Sequence, residues 1–342
     1  MTKELMTRTL VETIVTRGIK NISEDPRRSI RKLVDLGDEA AKTPFQRNFF
    51  DLIQRMLKNG DSPYYDMVER AVRETDHQKL KTVGINFGWN CLTVGAEKIQ
   101  TIETERGHNI PWSITLHIGG NAGDMSTQEY KTLISQGKEL GIFAYLLCPD
   151  ESEAGMETAL ELIAGNDDCV FFLWLPSDCG VTADMSRLSP YNNLIVGVDT
   201  LDPDWETTVN CLRDAKCLWV LYRSYETAED VEEITSEQWI EHILPYAGIA
   251  VFCIAGPECP PEESRQVYRY IQEARLGQWY PTLPVDYYRD MMSIDQCISQ
   301  DECYVGVLPD GTVTEFLCGR EAPTAASVRS SSLDDALKRF TK

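Results

Sequence analysis

Between residues 82 and 255 the chain repeats one alternation: a short apolar run, then an amphipathic stretch. The runs are "TVGINFG" (82–88), "WSITLHIG" (112–119), "IFAYLLC" (142–148), "CVFFLWL" (169–175), "NLIVGVD" (193–199), "CLWVLYR" (217–223) and "IAVFCIA" (249–255). Runs such as "CVFFLWL" are apolar throughout, as strands buried on both faces are. The stretches between them carry helix punctuation. Ser126 and Glu129 have the spacing of a capping box, and Gly107 and Gly141 stand where helices would stop. "PDWETTVNCLRDA" (203–215) and "PPEESRQVYRYIQEARLG" (260–277) open on proline and acid, as helix N-termini do. Strands alternating with helices predict a parallel α/β sheet wound in one sense. A partial or closed (β/α) barrel is the first expectation and an open doubly wound sheet the second. Both place ligands beyond the carboxyl ends of the strands.

The flanks differ in texture. Residues 1–81 predict an all-helical N-terminal region, with Asp25-Pro26 and Ser62-Pro63 as helix starts and Phe45, Phe49, Ile53 and Leu57 as one apolar stripe. Charge changes at the same point. Residues 1–81 hold 16 Lys+Arg and 13 Asp+Glu, and the remainder holds 17 and 41. The expected divisions are therefore 1–81, a barrel over 82–277, a C-terminal segment over 278–320 and a flexible tail over 321–342. In the third, "CYVGVLPDGTVTEFLC" (303–318) predicts a β-hairpin. A two-residue Asp310-Gly311 turn would pair residues whose numbers sum to 621, setting Cys303 opposite Cys318 about 5 Å apart.

Composition excludes several classes. A net charge of −21 argues against a nucleic-acid partner. No apolar run reaches about 18 residues, so no membrane span is expected. The N-terminus lacks the unbroken apolar stretch of a signal peptide, which predicts a cytoplasmic protein. The basic run "PRRSIRK" (26–32) reads first as a solvated helix face and second as a grip for a protein partner. Eleven cysteines, odd in number and partly inside apolar runs, read as reduced core thiols. There is no GxxxxGK[ST], no GxGxxG after the first run and no HExxH.

The predicted strand ends carry the candidate chemistry. They deliver Asn90 and Cys91, then His117 with Gly119-Gly120-Asn121, then Cys148 and Asp150. Further along come Ser177, Asp178, Asp199 and Arg223. His117 and Asp150 are candidates for acid–base work, weighed against solvated rim side chains. Gly119-Gly120 leaves room for close backbone approach and Asn121 both donates and accepts hydrogen bonds. A ligand-binding corner competes here with a plain turn before a capped helix.

The order of these pieces resembles radical S-adenosylmethionine enzymes with a trailing SPASM-type segment, over residues 82–318. The resemblance rests on "GGNA" (119–122) in the place of a GGEP-like motif, on the following "STQEYKTLISQGKELGIFAYLL", and on "DECYVGVLPDGTVTEFLC" at the end. It implies a partial (β/α) barrel and S-adenosylmethionine as candidate cofactor, held at Gly119, Gly120 and Asn121, with Asn90 and Cys91 of the first strand end as further ligand-binding candidates. The family's CxxxCxxC, which holds a [4Fe-4S] cluster just after its first strand, is absent. Every register on Cys91 in "FGWNCLTVGAEK" leaves one cysteine of the three required. The resemblance leaves Cys91, Cys303 and Cys318 as residual metal candidates.

The leading expectation is a cluster-deficient relative that binds a small molecule or a peptide in a modification or maturation pathway. A second is an active iron–sulfur enzyme with unusual ligation, Cys91 joining Cys148 or Cys253. A third is a barrel hydrolase or lyase using rim acids and His117.

Overall fold

The computed structural model describes residues 3–22, 24–41, 44–176, 185–299, 302–317 and 319–339. Its frame is a ten-stranded sheet curled into a half-barrel. Seven strands run parallel in chain order: β1 (Ser113–Ile118), β2 (Ala144–Pro149), β3 (Val170–Trp174), β4 (Leu194–Asp199), β5 (Leu218–Tyr225), β6 (Ala250–Ala255) and β7 (Leu283–Asp286). They are almost wholly buried, as expected of strands covered on both faces. β8 (Val305–Val307) pairs parallel to β1, and β9 (Thr312–Leu317) and β10 (Arg320–Ser327) follow antiparallel, giving the order β10-β9-β8-β1-β2-β3-β4-β5-β6-β7.

Four helices come first, α1 (Lys3–Ile22), α2 (Pro26–Ala40), α3 (Pro44–Leu57) and α4 (Tyr64–Glu74). α5 (His77–Ile85) then runs through a π-helical stretch, Asn86–Gly95, into α6 (Ala96–Arg106). The connections between strands carry α7 (Thr127–Leu140), α8 (Glu153–Ala164), α9 (Trp205–Asp214), α10 (Ala228–Thr235), α11 (Gln238–Ile243) and α12 (Pro261–Gly277). α13 (Tyr287–Ser299) follows β7, and α14 (Leu333–Leu337) is the last helix among the described residues. α7 has the capping box read from Ser126 and Glu129, and ends at Gly141 with φ of 101°. No helix among the described residues is long and apolar enough to cross a membrane.

Three expectations are corrected. The run at 82–88 is helix, not a first strand. Its apolar residues alternate, but Asp76 caps a helix at Gln78 and Lys79, and the helix continues. Asn86 Nδ2 donates to the Asp167 and Cys169 carbonyls at 2.8 and 2.7 Å, and Asn90 Nδ2 to the Asp168 carbonyl at 2.7 Å. Such short runs fit helix and strand alike; these amide contacts anchor the helix beneath β3. The sheet position beside β1 is filled instead by β8, from the C-terminal segment.

The hairpin register is off by one from the expectation. Val305 pairs with Glu315 and Val307 with Val313, so partners sum to 620. Pro309, Asp310 and Gly311 form a three-residue loop, with Leu308 N–H donating to the Thr312 carbonyl at 2.8 Å. Gly311 has φ of 87°, the left-handed residue that such a loop requires. Cys303 thus loses its expected partner, and Cys318 lies outside the described residues. Third, the tail read as flexible contains β10 and α14. Ser332 caps α14, and Leu333, Ala336 and Leu337 are fully buried.

The N-terminal helices share their own core of Ile19, Ile22, Ile30, Leu57, Tyr65 and Val72. Arg27 and Arg31 of the basic run lie over the Tyr65 ring at 5.7 and 5.4 Å, and Arg31 Nε donates to Tyr65 Oη at 2.6 Å. The region packs on the amino ends of the strands. Asp76 N–H donates to the Lys216 carbonyl before β5, and Arg70 to the Pro281 carbonyl before β7. Lys79, 5% exposed, gives its ammonium to the Ser189 and Tyr191 carbonyls before β4. Lys79→Met removes both bonds and leaves two acceptors unmet, so it should cost about 2 kcal/mol in urea unfolding. An unchanged midpoint would show that water replaces the ammonium there.

Candidate functional site

At the carboxyl end of the sheet, β1 delivers His117 and the Gly119–Asn121 corner, and β2 delivers Cys148 and Asp150. His117 and Cys148 are register partners, so both point to the concave face. Thr115 on the same face shares a hydrogen bond of 2.8 Å with the hydroxyl of Tyr287, the first residue of α13. α13 therefore crosses the concavity rather than covering the outside.

His117 is held by a residue absent from the sequence-based candidates. Its Nε2 lies 3.1 and 3.2 Å from the two carboxylate oxygens of Glu321, on β10. The Thr314 hydroxyl donates to the same carboxylate. Burial pulls the Glu321 carboxyl upward, but the His117 hydrogen bond and charge, with Thr314, outweigh it and hold the group below its ordinary value. The pair is half-open: the side chains are 30% and 15% exposed. Nothing in the sequence near Glu321 marked it, because its partner lies 204 residues away.

The glycine corner is closed by the chain itself. Gly120 N–H donates to Asp150 Oδ2 at 3.0 Å, and Asn121 N–H to Asp124 Oδ2 at 2.8 Å. Asp150 Oδ1 accepts from Ser152 N–H at 3.0 Å and from the Ser152 hydroxyl. A Cβ on Gly119 would run into the Asp124 carboxylate and stand 3.0 Å from Pro309 Cβ. On Gly120 it would run into Ser152 and stand 3.2 Å from Ala154 Cβ. Asp150 is thus a turn-closing acid. Burial raises its carboxyl, but the bonds from Ser152 and Gly120 lower it further than burial lifts it. The glycines are needed for these contacts, with Asn121 exposed beyond them.

Asn90 and Cys91 are not part of this end. Both lie in the π-helical stretch beneath the amino ends of β2 and β3, at 6% and 2% exposure. Burial, and then Cys169, push the Cys91 thiol well up. Cys148 stands at the opposite end of the sheet, and Cys303 is buried between α13 and β8. Cys253 acts on Asp286 and Tyr225, away from the concave face. Among the described residues no three His, Cys, Asp or Glu side chains group so as to hold a metal ion. This donor set does not fit a [4Fe-4S] cluster: one inaccessible thiol lies at the wrong end of the strands. Ser177 and Asp178 lie outside the described residues.

The mouth is lined with rings. Trp174 meets Tyr222 at 5.0 Å, Phe252 at 5.2 Å and Tyr287 at 5.7 Å between centroids. Trp174 is 6% exposed, and its Nε1 has no hydrogen-bond partner. A polar groove of about 430 Å³ lies at the amino end, lined by Arg8, Lys81, Asn86, Tyr191 and Asn193 among others.

No protein-family model and no curated protein matches this sequence. Among solved structures, the fold is similar to a crystal structure of Streptococcus suis SuiB bound to S-adenosylmethionine, with a TM-score of 0.47 at 8% identity. The match covers 71% of this chain and 66% of that one, so the chain spans less than two-thirds of that protein.

Proposed function

We propose that this protein is a radical-S-adenosylmethionine-like half-barrel without the standard cluster, which binds a small molecule or peptide at the carboxyl mouth of its sheet. The observation that carries this reading is the His117–Glu321 pair, half-open inside an aromatic mouth at the end of the strands where parallel sheets take ligands. The ligand carries positive charge. Glu321, Asp124 and Asp150 face this end, and residues 82–342 hold 41 acids against 17 bases. S-adenosylmethionine, with its sulfonium and ammonium, and a lysine-rich peptide both have that chemistry. A bound S-adenosylmethionine would have to rest on the mouth rather than on the filled glycine corner.

Titration calorimetry of the full chain with S-adenosylmethionine and with a lysine-rich decapeptide tests this. Saturable heat from one of them is expected, weakened at least about tenfold in His117→Ala and unchanged in Asn121→Ala. No heat from either ligand with the parent protein would overturn the reading. Heat lost in Asn121→Ala but kept in His117→Ala would move the site back to the glycine corner.

A further inference from the structure

The polar groove of about 430 Å³ lies at the end of the sheet opposite the mouth, and its two walls differ in charge. One wall is α1 and α5, which bring Arg8, Glu12 and Lys81 to the groove. Glu12 serves both cations. Its Oε1 accepts from Arg8 Nε at 3.1 Å, while its Oε2 stands 4.0 Å from Lys81 Nζ, beyond hydrogen-bond reach. Among the described residues neither the Arg8 Nη atoms nor Lys81 Nζ donates a hydrogen bond. This wall has one positive charge in excess.

The other wall is the last turn of α8, at Ile163 and Ala164, with the turns that lead into β3 and β4. It carries the exposed Asp167, whose carboxylate has no hydrogen bond or ion pair among the described residues. The negative end of the α8 dipole lies on the same side. Asn193, 5% exposed, donates Nδ2 to the Ile163 and Asn166 carbonyls at 3.2 and 2.9 Å. Those two bonds fix the amide. They leave Asn193 Oδ1 on the groove wall as an acceptor with no donor among the described residues.

We propose that this groove is a binding site for a polar α-amino acid in its zwitterionic form. Arg8 and Lys81 take the carboxylate, and Asp167 with Asn193 Oδ1 takes the ammonium. A plain anion would suit the first wall and meet Asp167 with like charge; a plain cation would do the reverse. A ligand with both charges completes both walls. Gln78, Thr82 and Asn192 line the space between them, so the side chain it suits is polar. The groove takes no residue from the mouth, so this site stands or falls apart from the binding reading there.

The test is titration calorimetry and thermal unfolding of the full chain with L-serine, L-asparagine, L-glutamine and L-histidine. At least one is expected to give saturable heat and, at ten times its Kd, to raise the melting midpoint by about 2 °C. The N-acetyl and carboxamide derivatives of that amino acid each lose one charge and should each bind about tenfold more weakly or worse. Arg8→Gln, Lys81→Gln and Asp167→Asn should each weaken the amino acid about tenfold. Melts without ligand check that each variant folds. No binding by any of the four would overturn the proposal, as would parent affinity in the folded variants. Inorganic phosphate bound with the same dependence on Arg8 and Lys81, or an N-acetyl derivative bound as tightly as the amino acid, would also overturn it, by making the groove a simple anion site.

Discussion

Asp295→Asn is expected to leave stability unchanged near pH 5 and to raise it above the parent by about 4 kcal/mol near pH 8.5. Asp295 lies on α13 and is fully buried. Oδ1 accepts from Trp112 N–H at 3.1 Å and Oδ2 from Asn109 Nδ2 at 3.4 Å. Burial pushes its carboxyl up to about 8; the bond from Trp112 opposes this and the charge of Glu103 adds to it. In the unfolded chain an aspartate titrates near 4. Between these values the folded chain keeps a proton that the unfolded chain has released. Stability is therefore fully present below about pH 4 and falls as pH rises towards 8, by up to about 1.4 kcal/mol per unit. Asparagine has the shape of the protonated acid and does not ionise, so the slope disappears. Urea unfolding at several pH values, parent against variant, isolates Asp295 from the other titrating groups. Parallel curves across pH 5 to 8.5 would show that the carboxyl is ionised throughout.

The same element shows how far the sequence could be read. The parallel strands were legible because each is a run apolar on both faces, bounded by capped helices, and six of the seven expected runs are strands. The seventh, at 82–88, was not legible as helix. Val83 and Ile85 alternate as in a strand, and only the amides of Asn86 and Asn90, bonded to carbonyls some 80 residues away, reveal its place. The hairpin was legible from Pro309-Asp310-Gly311, but its register turns on one residue, because a left-handed Gly311 closes a three-residue loop as readily as a two-residue one. At the site, His117, Cys148 and the glycine corner were visible as strand ends. Glu321 was not, because it stands on the segment read as a flexible tail. What brings it to His117 is the pairing of β8 with β1, a contact between distant parts of the chain that no local pattern encodes.

Trp174 and Gly197 form the tightest size match in the mouth, and the second large effect is expected there. They are register partners on β3 and β4. A Cβ on Gly197 would fall onto the Trp174 ring, which Tyr222, Phe252 and Tyr287 enclose on its other sides. The ring has no direction in which to yield. Gly197→Ala should therefore cost about 1–3 kcal/mol by overpacking. Trp174→Ala should cost about 3–5 kcal/mol, through lost burial and the cavity left behind. The two penalties are not independent. In Trp174→Ala the three atoms nearest that Cβ, all of the indole, are gone, so an alanine there is relieved of the clash and reclaims part of the cavity. The double variant should be no less stable than Trp174→Ala alone, a coupling of about 1–3 kcal/mol in a double-mutant cycle. Urea unfolding of the four proteins measures it. Additive losses would mean that Gly197 is required by the β4 backbone rather than by the indole, and that the ring is free to move within the mouth.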